Sequence, residues 1–155
     1  MNLVENFKIV EAIAPQAGAA ITGDYVSMKN ASHVAVAVHI NQANAATVAI
    51  TIEQATSVDG TGSKALAVDV PIFLCADAAT SDALAAQTPG VAYTTSATLK
   101  HKIVVFEIPA EALDVANGFN AITVKTAASN AANITQASYI LSGLRYGAAK
   151  SVITD

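Results

Sequence analysis

At 155 residues the chain has room for one domain built around one core. An apolar fraction of 53% against 13% charged excludes intrinsic disorder, which needs low hydrophobicity and high charge. The formal charge of −4 is spread without runs and gives a polyanion-binding surface no compositional support, and a single cysteine excludes an internal disulfide framework.

Met1–Gly18 reads as an N-terminal arm or a first strand, with Phe7 and Ile9 as its apolar contacts and Pro15 and Gly18 loosening its end. Glu5, Asn6 and Lys8 break up its apolar residues, so no secretory h-region is present and a cytoplasmic origin is expected. A single domain is expected over residues 19–155. After Gly23-Asp24, the segment Tyr25–Met28 is a short strand candidate.

From His33 to Ile40 the pattern alternates strictly, with Val34, Val36, Val38 and Ile40 on one face and His33, Ala35, Ala37 and His39 on the other. Thr47–Glu53 repeats the alternation through Val48, Ile50 and Ile52, and the polar stretch 41–46 between them predicts an antiparallel hairpin. The turn Asp59-Gly60-Thr61-Gly62-Ser63 leads into an extended run, Ala65–Leu74, which Pro71 places at an edge or bends. Asp77–Gln87 fits a short helix or an ordered loop. Lys102–Ile108 is a strand ended by Pro109, and Pro109–Asp114 makes one helical turn before Asn117-Gly118 reverses the chain. Ala121–Thr126 and Ile134–Leu144 complete seven or eight strands with one or two short helical turns. The expected class is therefore all-β, an antiparallel β-sandwich of jelly-roll type. No apolar stretch approaches the roughly 20 residues of a membrane-spanning helix, so no membrane partner is expected.

Residues that carry chemistry are sparse. His33, His39 and His101, with Cys75, are the zinc-type ligands, but His33 and His39 lie roughly 20 Å apart along one strand and cannot share an ion. Cys75 sits in the apolar run Ile72-Phe73-Leu74-Cys75 and reads as a small buried hydrophobe. No nucleophile elbow is present, and the acid pairs Asp59 with Asp69 and Glu107 with Glu111 fall where solvated acids are ordinary. Gly60-Thr61-Gly62 lacks the third glycine and the helix of a dinucleotide fingerprint. Lys100-His101-Lys102 is the one basic cluster, read as solubilising a strand end, and nucleic acid is not an expected partner. The expectation is a protein that is not an enzyme and holds no cofactor or metal. Ala35, Ala37, Ala49 and Thr51 leave the second strand faces small and weakly polar, open to another backbone or subunit.

Three stretches carry a likeness: Val4–Pro15, Gly23–Asn30 leading into the 34–40 strand, and Tyr139–Tyr146. In composition and phrase order the chain resembles small virion structural proteins of tailed bacteriophages. The resemblance implies a capsid decoration, or cement, protein made in the bacterial cytoplasm and placed on the capsid surface, with the major capsid protein as partner and self-association, favouring a trimer. Another virion part, such as a head-fibre base, head-tail connector or tail component, is the alternative, and a carbohydrate-binding sandwich a more distant one. The residues marked for interfaces are Phe7, Ile9, His33, Ala35, Ala37, His39, Arg145 and Tyr146.

Overall fold

The computed structural model describes residues 3–145. After a single helical turn, α1 (Leu3–Asn6), twelve strands follow. They are β1 (Lys8–Ala17), β2 (Ile21–Thr22), β3 (Val26–Ser27), β4 (His33–Asn41), β5 (Ala49–Ala55), β6 (Lys64–Ala65), β7 (Ile72–Cys75), β8 (Ala85–Ala86), β9 (Ala92–Thr94), β10 (His101–Pro109), β11 (Ala121–Thr126) and β12 (Ile134–Ser142). Two 3-10 turns, Ala110–Ala112 and Val115–Asn117, lie between β10 and β11. Gly118 closes the second in the left-handed conformation, φ 83°, that a residue without a Cβ adopts freely.

All strand pairs are antiparallel, in two sheets. One runs β1-β12-β4-β10-β7-β8; the other runs β2-β11-β5-β6, with β3 also on β11 and β9 also on β5. β2 and β3 are two pieces of one edge along β11, and β6 and β9 two pieces of one edge along β5. Counted as lanes in chain order, the sheets read first-eighth-third-sixth and second-seventh-fourth-fifth. This is the double Greek-key wrap of a jelly roll, with β7 and β8 added beyond the sixth lane.

Val34, Val36, Val38 and Ile40 on β4, Val104, Phe106 and Ile108 on β10, and Ala137, Tyr139 and Leu141 on β12 face inward. They meet Ile50, Ile52, Ile122 and Val124 from the other sheet in one core. The side chains are mostly branched and of middling size, with Phe106 and Tyr139 as the large aromatics among these inward positions.

The expected hairpin between the 34–40 and 47–53 strands does not form. β4 pairs with β12 and β10, while β5 lies in the opposite sheet. Alternation marks one face of each strand for burial, and that is satisfied equally by neighbours in one sheet and by strands facing each other across the core. The run 65–74 also divides: β6 pairs with β5, and beyond Pro71 β7 pairs with β10 in the other sheet. Asp77–Gln87 is an irregular segment ending in β8, not a helix. Lys8–Ala17 pairs with β12 through two register shifts, between Glu11 and Ile13 and between Ile13 and Gln16, that bracket the region before Pro15.

A polar contact from Tyr139 crosses the core. Tyr139, fully buried, accepts a hydrogen bond from Val124 N (2.9 Å) and donates to Asp24 O (2.8 Å), so its hydroxyl serves two backbone groups of the opposite layer. Burial pushes its phenol well above the ordinary tyrosine range. Thr135, also buried, has no partner for its hydroxyl among the described residues. Tyr139→Phe is expected to cost about 1–3 kcal/mol, because Val124 N and Asp24 O lose their partner without gaining water. Thr135→Val is expected to gain about 1 kcal/mol by replacing an unsatisfied hydroxyl with a methyl. Urea unfolding midpoints at matched slopes check both.

Candidate functional site

The sheet led by β1 has an outer face that no other element among the described residues covers across β1, β12, β4 and β10. Register sets its side chains in rows. His39 lies between Ile103 and Gln136, Ala37 between Val105 and Ser138, Ala35 between Glu107 and Ile140, and His33 between Pro109 and Ser142. Beyond Ile140 stands Ile9, 52% exposed, and beyond Ser138 stands Glu11. Each alanine methyl on β4 has one branched neighbour, Val105 beside Ala37 and Ile140 beside Ala35, and the small side chains leave a shallow trough along β4. From β1 to β10 the outward positions carry Glu11 and Glu107 and no lysine or arginine.

His33 is pinned in place: its Nε2 lies 2.8 Å from the Glu107 carboxylate and its Nδ1 3.5 Å from Ser142 Oγ. At the other end of the trough His39, His101, Asn41, Ile103, Ile134 and Gln136 border a cleft of about 250 Å³ closed on one side by Ala78. Cys75 holds that side down, its buried thiol donating to Ser81 O at 3.1 Å. Among the described residues no group of three or more His, Cys, Asp or Glu side chains gathers to hold a metal ion.

The marked residues therefore divide. Ile9, His33, Ala35, Ala37 and His39 share one face. Phe7 sits half-buried at the strand's start, in a cleft with Ser142, Gly143 and Leu144. Arg145 lies apart, at a groove with Met28, Leu113 and Phe119, and Tyr146 is outside the described residues. Sequence reading missed the flanking rows, Ile103, Val105 and Glu107 on β10 and Gln136, Ser138 and Ile140 on β12. Their alternation was visible, but their register against β4 was not. A carbohydrate-binding sandwich would normally present exposed aromatics, whereas Tyr139 is buried and Tyr93 packs against the core.

The basic cluster 100–102 is dismantled by the fold. Lys100 pairs with Asp77 at 2.7 Å, and the lysine's hydrogen bond holds that carboxyl below its ordinary value. Lys102 does not solubilise the strand end: it points inward, 2% exposed, because alternation on β10 gives it a core-facing position. Its ammonium donates to Gln42 Oε1 (2.7 Å), Ser96 O (2.8 Å) and Thr98 O (2.6 Å). Thr95 Oγ1 also donates to Gln42 Oε1, and Gln42 Nε2 donates to Ala46 O and Ser96 O. This plug ties the loops at one end of the sandwich together beneath the cleft.

No family model matches the chain, and no curated protein matches it in sequence. Among solved structures, the SPBc2 prophage-derived protein YomS is similar in fold, with a TM-score of 0.46 and 9% identity, over 88% of this chain and 93% of that one.

Burial lowers the Lys102 pKa from the ordinary lysine value of 10.5. Between the native pKa and 10.5 the unfolded chain binds more protons than the folded one, so this residue's contribution to stability rises with pH across that window. Lys102→Met is expected to cost about 1–3 kcal/mol at neutral pH by stranding buried acceptors. The gap between wild type and variant should widen on titration toward 10.5, read from urea midpoints at stepped pH.

Proposed function

We propose that this chain is a structural protein of a phage particle, a decoration protein that binds the outside of the head and meets the major capsid protein through the outer face of the β1-β12-β4-β10 sheet. In this reading it is not an enzyme, and its place is the capsid surface. One observation carries the proposal: a broad, trough-shaped face of half-buried alanine, serine, valine and isoleucine without a single lysine or arginine. Solvated sheet faces normally carry many long charged side chains; here the outward positions carry Glu11 and Glu107, the latter paired with His33, and a face so sparsely charged is suited to close approach by another protein. The sequence likeness to small virion proteins supports the same reading. A part that binds only the assembled lattice stabilises it by mass action and requires no reactive group.

The test uses heads of the parent phage assembled without this chain. Wild-type protein added to them is expected to sediment with the heads to a saturating copy number. Ala37→Arg fills the trough with a charged side chain and should weaken binding at least about tenfold while its own stability stays within about 0.5 kcal/mol of wild type. Wild type that stays in the supernatant, or an Ala37→Arg variant that binds as well as wild type, would overturn the assignment. Saturable binding to purified tails instead would move the chain to another part of the particle.

A further inference from the structure

The end of the sandwich where β12 gives way to Arg145 carries a second surface, and its charge pattern is specific. A groove of about 230 Å³ has a floor of Met28, Leu113 and Phe119, a wall at Val115 that is 63% exposed, and a rim bearing Lys29 and Arg145. Lys64, Lys100 and Lys125 each hold a carboxylate at 2.6–2.7 Å, and Lys102 is buried among oxygen acceptors. Lys29 and Arg145 have no carboxylate partner among the described residues, although the chain as a whole is acidic. The groove thus offers an apolar floor beneath two uncommitted cations.

The complementary surface is on the same chain. Leu3 and Val4 are 51% and 70% exposed, and the adjacent Glu5 is exposed with no cation partner among the described residues. This segment does not line the groove of its own chain. Phe7 N donates to Leu3 O at 2.9 Å, Lys8 starts the pairing with β12 opposite Leu141, and Glu5 borders a separate cleft against Ser142, Gly143 and Leu144. The turn at 142–144 is stiff: Gly143 has φ +61°, and a Cβ there would collide with Ser32.

We propose that the groove receives the Leu3-Val4-Glu5 segment of a second copy, the aliphatic side chains resting on Leu113 and Phe119 and the Glu5 carboxylate placed between Lys29 and Arg145. A contact between two different patches of identical chains closes as a reciprocal pair or as a ring. The contact leaves the outer sheet face free and does not depend on the head-binding assignment.

Charge exchange tests it, with mass measured by light scattering at about 100 µM protein, where a contact with Kd in the micromolar range is populated. Wild type is expected to give a multiple of the 15.7 kDa chain mass. Glu5→Lys alone, and Lys29→Glu with Arg145→Glu, are each expected to give the single-chain mass, while all three substitutions together restore the multiple. All three side chains are exposed, so unfolding midpoints should match wild type and separate a lost contact from a lost fold. Wild type at the single-chain mass, a mass that neither variant changes, or a triple variant that fails to reassemble would each overturn the proposal.

Discussion

Every long strand of this protein has one face that must leave water and one that need not, and the two sheets exist because their inner faces can satisfy that demand only against each other. Each fully buried valine, isoleucine, leucine or phenylalanine contributes about 1.5–3 kcal/mol relative to exposure, and the inner positions of β4, with Val104, Phe106 and Ile108 on β10 and Leu141 on β12, are of this kind. What the arrangement cannot tolerate is an unpaired backbone group inside it. Tyr139 answers that with a polar bridge between the layers, spanning from β12 to the amide of Val124 and the carbonyl of Asp24. Its ring belongs to the core and its hydroxyl to the opposite layer, so one side chain sets how the two sheets meet.

The open end of the sandwich is closed by a different device. Lys102 and Gln42 occupy inward positions where apolar residues would continue the core, and they gather carbonyls from the 95–100 loop instead. Asn133 extends the same arrangement, accepting from Asn44 N and donating to Ala46 O. A buried ammonium without a carboxylate is costly unless its hydrogen bonds are complete, and the three acceptors around Lys102 supply that. The polar plug thereby fixes loops that would otherwise be free at the edge of the outer face. The trough along β4 and the cleft at its end rest on this support, which makes the interior of that end relevant to whatever docks outside it.

The long strands could be read from the sequence, His33–Ile40, Thr47–Glu53 and Lys102–Ile108 by alternation, whereas the short pieces β2, β8 and β9 could not. His33–Ile40, Lys102–Ile108 and Ala121–Thr126 each coincide with β4, β10 and β11 to within a residue or so. The helical turn after Pro109 is present as a 3-10 turn. Partnership was not legible: Ile50 and Ile52 serve the same core as Val36 and Val38, and nothing local distinguishes a strand beside β4 from one facing it. Lys102 shows the same limit from the other side. Its charge suggested solvent, whereas its even spacing with Val104 and Phe106 placed it inside, and the oxygens that make this possible come from loops and from a residue 60 positions away. The candidate face was half visible, because the alanines and histidines of β4 stand out by themselves, but the rows beside them depend on register.

The amino-acid order by itself determined the class of fold, the faces of the long strands, the turns at Pro109 and Gly118 and the scarcity of reactive groups, because each follows from a period of two or from the chemistry of a single residue. Tertiary structure decided which strands are neighbours, that Lys102 is buried and Lys100 paired, that Ile9 joins the β4 face while Arg145 does not, and that Lys29 and Arg145 rim one groove. Those outcomes rest on contacts between residues far apart in the chain, whose energies depend on distance and exclusion of water and so exist only once the two sheets have closed.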